Sequence, residues 1–302
     1  MSPTQTPPPG PDHNRVHGSM PSSVGDLTAA LETVDYLADQ SLSMAAFLAL
    51  RMGRPLLLEG QNGVGKTAIA EALAQVLGRR LIRLQCYEGI DSSQALYDWN
   101  YARQLLAVRE GQGHGDVFTR EFLLPRPLLT SLEAGSSAVL LIDEIDRADD
   151  EFEAFLLEFL SDFAVTVPEI GRIRAVEPPL VVLTSNRTRD LHNAVRRRCL
   201  YSWVSHPGVE REIEILRRRA PAVPDDLARQ VSEMVADIRS LDLAHTPGVG
   251  ESLDWASALH MLGVMSLDLD VARETLTALV KDVDDQHTVT DHLDELAAAT
   301  GT

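Results

Sequence analysis

One stretch limits the fold of this chain more than any other: Leu56-Leu57-Leu58-Glu59-Gly60-Gln61-Asn62-Gly63-Val64-Gly65-Lys66-Thr67. An apolar run stops at a glycine-rich loop, and Lys66-Thr67 then open a helical pattern over 68–77. Strand, loop and helix in that order are the setting a P-loop requires. Gly60, Gly63 and Gly65 carry no Cβ, so backbone N–H groups can close on phosphate oxygens. The helix that follows adds the positive end of its dipole. Lys66 offers a mobile positive charge to the outer phosphates. The Thr67 hydroxyl offers a hard oxygen to Mg²⁺. The expected nucleotide cradle is Gly60, Gln61, Asn62, Gly63, Val64, Gly65, Lys66, Thr67 and Ala68. The plainer alternative is a glycine turn capping a helix, with an exposed lysine.

At 302 residues the chain exceeds what one hydrophobic core ordinarily serves, which predicts two domains. Residues 1–23 are rich in Pro, Gly, Ser and Thr and lack apolar periodicity, so a disordered tail is expected there. Over 24–206, helical patterns alternate with apolar runs at 56–58, 81–85, 138–142, 180–184 and 200–204. Leu27, Leu31, Val34 and Leu37 predict a first helix from Val24, and a second ends at Gly53. Strands that are apolar throughout are buried on both faces, so the expected fold class is α/β, a parallel sheet with helices on both sides. Residues 97–109 read as an insertion within the helical layer, with a loop tip at 111–115. Segments 165–167 and 173–176 flank Gly171-Arg172 and predict a hairpin. Pro207-Gly208 marks a boundary, and 207–302 reads as all-α: 209–219, 225–240, 250–265 and 271–281.

Ligands of such sheets sit at the carboxyl ends of the strands. The P-loop, Asp143-Glu144 and Asn186 each follow a strand directly, so they are expected to converge on one edge. There Asp143 can hold Mg²⁺ opposite Thr67. Glu144 can accept a proton from an attacking water, or orient that water. Asn186 can position the water or contact the γ-phosphate. Read without the loop, Asp-Glu is an acidic helix start favoured by the dipole, and Asn186 is a turn residue. Arg196-Arg197-Arg198 closes a helix just before the last core strand. The cluster either compensates the helix dipole or sends an arginine finger to a neighbour's γ-phosphate, a contribution of roughly 10³–10⁵ in rate.

Charge narrows the partners. Lys and Arg number 27 against 45 Asp and Glu, a net charge of −18. Such a chain repels nucleic acid and anionic membrane unless a local basic patch overrides the total. Two cysteines, Cys86 and Cys199, fit a reducing, cytoplasmic setting without a disulfide framework. No apolar run reaches the 18 residues of a membrane span, and the N-terminus lacks a signal-peptide core.

A P-loop, then Leu-Ile-Asp-Glu-Ile-Asp-Arg-Ala at 141–148, a strand ending in Thr184-Ser185-Asn186, an arginine-rich helix end and a helical lid together resemble an AAA+ ATPase. Leu84-Gln85-Cys86-Tyr87-Glu88-Gly89 and 184–191 are similar to the MoxR branch. Tyr97-Asp98-Trp99-Asn100 and Ser252-Leu253-Asp254-Trp255-Ala256 resemble its CoxD-like group. The resemblance covers about residues 33–262. It implies an αβα core around a five-stranded parallel sheet, with 97–109 as a helix-2 insert, 165–176 as a pre-sensor-1 hairpin and 207–302 as the lid. It implies ATP and Mg²⁺ as cofactors, ATP hydrolysis, and homo-oligomeric rings, usually hexamers. Members of the group are thought to be chaperones that mature metalloenzymes with a von Willebrand factor A-type partner. For CoxD-like members the client is a molybdenum hydroxylase such as aerobic carbon monoxide dehydrogenase. An ATP-driven assembly switch with little hydrolysis, and a DNA-acting motor, are the alternatives; the net charge disfavours the second. One departure stands out. Many AAA+ lids place an arginine at the start of the third helix, where this chain has Pro247-Gly248-Val249-Gly250-Glu251, with Glu251 near the expected position.

Overall fold

The computed structural model describes residues 20–109 and 117–300. Of the expected tail over 1–23, residues 1–19 lie outside the described residues, as does the loop tip at 111–115, whereas Ser23 is ordered as the cap of the first helix. The first half of the chain runs α1 (Val24–Glu32), α2 (Gln40–Met52), β1 (Leu56–Glu59), α3 (Lys66–Val76), β2 (Arg80–Gln85), α4 (Ser92–Ala95), β3 (Tyr97–Trp99), α5 (Tyr101–Ala107), β4 (Leu123–Pro125) and α6 (Pro127–Ala134). Then come β5 (Ala138–Asp143), α7 (Asp150–Asp162), β6 (Ala164–Val167), β7 (Gly171–Arg174), β8 (Leu180–Ser185), α8 (Asn193–Arg198) and β9 (Leu200–Trp203). Five helices follow: α9 (Val209–Arg219), α10 (Asp225–Ile238), α11 (Val249–Met261), α12 (Leu269–Thr275) and α13 (Val283–Thr300).

The main sheet has the order β2-β5-β8-β1-β9 and every pairing in it is parallel. Its three central strands, β5, β8 and β1, are buried at every residue. That is why they read as continuous apolar runs. One core cluster fills the face under α6 and α7, and a second fills the face under α1, α2 and α3. The strand order leaves β1 between β8 and β9, so the loops after β1, β5 and β8 emerge side by side. The expected five-stranded parallel sheet between helical layers is present, with a helical C-terminal region attached.

Several boundaries differ from the sequence reading. Helix α1 stops at Glu32, because Asp35 takes a left-handed backbone (φ 58°) and the Tyr36 N–H turns back to the Leu31 carbonyl at 3.0 Å. Val34 and Leu37 therefore lie beyond the helix they were expected to complete. The insertion is a small antiparallel pair, β3 with β4, carrying α5 between its strands. Trp99 is buried there, edge-on to Tyr97 and Phe118, whereas Tyr101 is 61% exposed. In the second hairpin, Gly171 and Arg172 belong to β7 and pair with Val167 and Thr166. They do not form the turn, and Val176 lies outside the strand and fully exposed.

The helices after Gly208 pack around a core of their own, centred on Trp255, whose indole N–H donates to Thr275 Oγ1 at 2.8 Å. The region ends in α13, which periodicity did not reveal. Among the described residues, no helix is long and apolar enough to cross a membrane.

Candidate phosphate-binding site

The loop between β1 and α3 lines a cavity of about 520 Å³ together with Asp143, Glu144, Arg147, Thr184 and Asn186. Gly63 (φ 74°) and Gly65 (φ 92°) adopt the left-handed backbone the loop needs. Gly60 serves another purpose. Its N–H donates to the Ser185 carbonyl at 3.3 Å, continuing the sheet, and a Cβ there would lie 2.1 Å from the Val204 carbonyl oxygen. Glycine at 60 thus lets β9 close on β1, rather than freeing an amide for phosphate.

The Lys66 amine donates to the carbonyls of Gly60 at 2.8 Å and Gln61 at 2.5 Å. Burial pulls its pKa down to about 8, against the opposing pull of Asp146, Asp143 and Glu144. The folded value lies below the unfolded one. The buried ammonium therefore costs stability below about pH 8, and that cost fades as pH rises toward the unfolded value. A bound phosphate would favour the charged form. Nucleotide binding should therefore take up a proton near pH 8 and weaken above it. Calorimetry in buffers of differing ionisation enthalpy measures this, and an affinity that stays flat from pH 7 to about pH 9.5 contradicts it.

The two acids are held differently. Asp143 is buried; its Oδ1 accepts the hydroxyls of Thr67 at 3.1 Å and Thr184 at 2.5 Å. Two hard oxygen groups, Thr67 and Asp143, thus meet at the mouth of the cavity, and this donor set fits Mg²⁺. Glu144 sits in a left-handed backbone (φ 54°), fixed by its N–H donating to Thr184 Oγ1 at 2.9 Å. Its carboxylate accepts from Gln85 Nε2 at 3.1 Å and pairs with Arg147 at 3.0 Å.

Asn186 follows β8 and lines the same cavity. Its loop is shaped by Asp146, which the sequence reading passed over. Buried, Asp146 accepts from the N–H of Asn186 at 3.2 Å, the N–H of Thr188 at 2.9 Å and the Thr188 hydroxyl at 2.7 Å. A second aspartate three residues after Asp143, directly behind the strand, was the available signal.

The arginine cluster separates. Arg196 pairs with buried Glu59 at 2.8 Å, joining α8 to the residue before the loop. Arg198 donates to Ser161 Oγ and to the Ala194 carbonyl. Arg197 is exposed, and its guanidinium has no side-chain or backbone partner among the described residues.

A second pocket, of about 70 Å³, lies behind the loop, where Tyr36, Leu37, Val64, Val204, Pro207, Arg211 and Ile215 meet. Tyr36 donates to the Gly65 carbonyl at 3.4 Å, and burial raises its pKa. Mostly apolar and next to the phosphate cavity, this pocket suits a flat heterocycle. Between the two cavities the helical region touches the loop directly. The Val249 N–H donates to the Gly63 carbonyl at 2.9 Å, and a Cβ on Gly63 would lie 2.6 Å from Gly248 Cα. Glu251 accepts the Gly248 N–H at 3.0 Å and so caps α11. A third cavity, of about 590 Å³, opens on the far side of that contact, between Gln61, Asn62, Asn186 and the helical region.

The chain is similar to several known proteins. Residues 55–199 match the family model described as AAA domain (dynein-related subfamily). Midasin of Giardia intestinalis is 33% identical over 115 residues, 34% of this chain but 2% of that protein. An uncharacterized protein of Staphylococcus saprophyticus is 20% identical over 67% of this chain and 75% of its own length. Peroxisomal ATPase PEX6 of Dictyostelium discoideum is 22% identical over 61% of this chain and 14% of its own. Among solved structures, a RuvB mutant of Thermotoga maritima superposes with a TM-score of 0.50 at 19% identity, over 88% of this chain and 75% of that one. Fold and matches together support the AAA+ superfamily.

Proposed function

We propose that this chain, built on the AAA+ fold, binds ATP with Mg²⁺ at the phosphate cavity, hydrolyses it, and works in a homo-oligomeric ring as a motor that remodels a client protein. The observation that carries the reading is the meeting of the P-loop, the Thr67–Asp143 pair, Glu144 and Asn186 in one cavity at the end of the sheet. Thr67 and Asp143 would hold Mg²⁺, which supplies charge neutralisation on the outer phosphates. Lys66 leaves the Gly60 and Gln61 carbonyls for phosphate oxygens. Glu144, once released from Gln85 and Arg147, accepts a proton from the attacking water. Asn186 orients that water. The apolar pocket behind the loop takes the base.

Arg197 is the arginine we assign to a neighbour's site, because Arg196 and Arg198 are committed within their own subunit. Arg197→Ala should lower turnover per subunit by on the order of 10³ with little change in melting temperature. Arg196→Ala should instead lower the melting temperature, since buried Glu59 is left with only the longer ion pair to Arg187 at 3.8 Å. Equal turnover in the Arg197 variant and the wild type would remove that assignment.

The test of the whole reading is ATPase rate against protein concentration, paired with mass determination with and without ATP and Mg²⁺. A rate per subunit that rises with concentration beside an ATP-dependent ring supports a shared site. A monomer with a flat rate contradicts it. Rings without turnover favour the assembly switch, a reading supported by Glu251, a helix cap where many AAA+ lids carry an arginine. The client is a finer proposal and rests on the MoxR and CoxD-like resemblance of 84–89, 97–100, 184–191 and 252–256. We propose a metalloenzyme, a molybdenum hydroxylase such as aerobic carbon monoxide dehydrogenase, reached with a von Willebrand A-domain partner in the cytoplasm. Deleting the chain should leave such an enzyme produced but lacking its mature metal centre.

A further inference from the structure

The two acids of the cavity are joined through the edge strand β2. Asp143 pairs through Oδ2 with Arg83 at 2.5 Å. Arg83 also donates to Gln85 Oε1 at 2.8 Å, and Gln85 Nε2 donates to Glu144 Oε2 at 3.1 Å. Alternation along β2 puts Arg83 and Gln85 on one face, and register sets Gln85 beside Asp143. The bonds therefore run without a break from the metal-side carboxylate, through Arg83 and Gln85, to the proposed base.

The pair is lopsided. The Asp143 side chain is 4% exposed and the Arg83 side chain 52% exposed. A surface ion pair of this kind adds little stability by itself. A buried carboxylate without a nearby cation, however, is costly. A dication at Asp143 and a guanidinium on the same carboxylate would repel at ligand distance. One of them must leave, and only Arg83, on a flexible stem at the sheet edge, can do so without unpacking the core.

We propose that Arg83 is a positioning residue that holds Asp143 in place of the metal and is displaced from that carboxylate when the metal arrives. This rests on the ATP·Mg²⁺ reading above.

The test is calorimetric binding of ADP to the full chain in EDTA and in Mg²⁺, for wild type and Arg83→Gln. With its competitor gone, the ratio of Mg²⁺ to EDTA affinity should rise on the order of tenfold in Arg83→Gln. Arg83→Lys, which keeps a charge beside Asp143, should stay near wild type. An unchanged or smaller ratio in Arg83→Gln overturns the proposal. A second readout needs no variant. Phenylglyoxal should modify wild-type Arg83, located by mass spectrometry, faster with Mg²⁺·ADP than with ADP in EDTA, and equal rates overturn the proposal. Wild type that binds no nucleotide in either condition overturns the ATP reading itself, and this inference with it.

Discussion

Lys66→Ala should lose ATP binding by on the order of 10² in affinity or more, and with it all measurable turnover, while the protein stays folded. The ammonium is buried, its charged form is disfavoured by that burial, and its hydrogen bonds go to two loop carbonyls. It is a charge held at a cost beside the cavity, and phosphate oxygens are the partners that would offset the cost. Removing it should leave the melting temperature of nucleotide-free protein level or slightly higher. That second observation separates loss of binding from loss of fold. A variant that binds ATP as tightly as wild type would show that the phosphates do not sit at Lys66.

Glu144→Gln should keep ATP affinity within a few-fold and lower turnover by roughly 10²–10⁴, the usual contribution of a positioned general base. The replacement amide has the same shape and keeps a group for Gln85 to bond, so the backbone at 144 and its bond to Thr184 should persist. ATP-dependent assemblies should therefore last longer in this variant than in wild type. Wild-type turnover in Glu144→Gln would sink the base assignment while leaving the binding site intact. Nucleotide affinity and single-turnover hydrolysis measured on the same preparation tell the two roles apart.

Much of this site was legible in the sequence because its parts follow strands. Residues 138–142 and 180–184 are apolar without interruption, which happens when a strand is covered on both faces, and the chemistry begins where each run stops. The P-loop glycines and the acidic pair could thus be placed on one edge from the sequence alone. What escaped was whatever depends on residues far apart in the chain. The pocket behind the loop is made from Tyr36 and Leu37, Val64, Val204 and Arg211, none of which forms a motif with another. Arg83 and Gln85 looked like the polar side of an edge strand; only the parallel register beside β5 gives them neighbours. The arginine cluster was a single feature in sequence and three different environments in space, because only Arg196 meets Glu59. Helix α13 was missed for a different reason. Its buried apolar residues, Val289 and Leu293, stand one helical turn apart, but the stripe is short and set among acids and threonines, so the stretch carries a weak periodic signal.

The meeting of Gly63 and Gly248 has one more consequence. A joint made only of backbone has no rotamer that could absorb movement. A tilt of the helical region must therefore pull on the Gly63 carbonyl through Val249, and a shift of the loop as phosphate leaves must push on α11. In the proposed motor, the helices beyond Gly208 would be a lever whose short arm is the phosphate cradle itself. A side chain placed at either glycine would wedge that fulcrum open, spoiling the grip on phosphate and the stroke together.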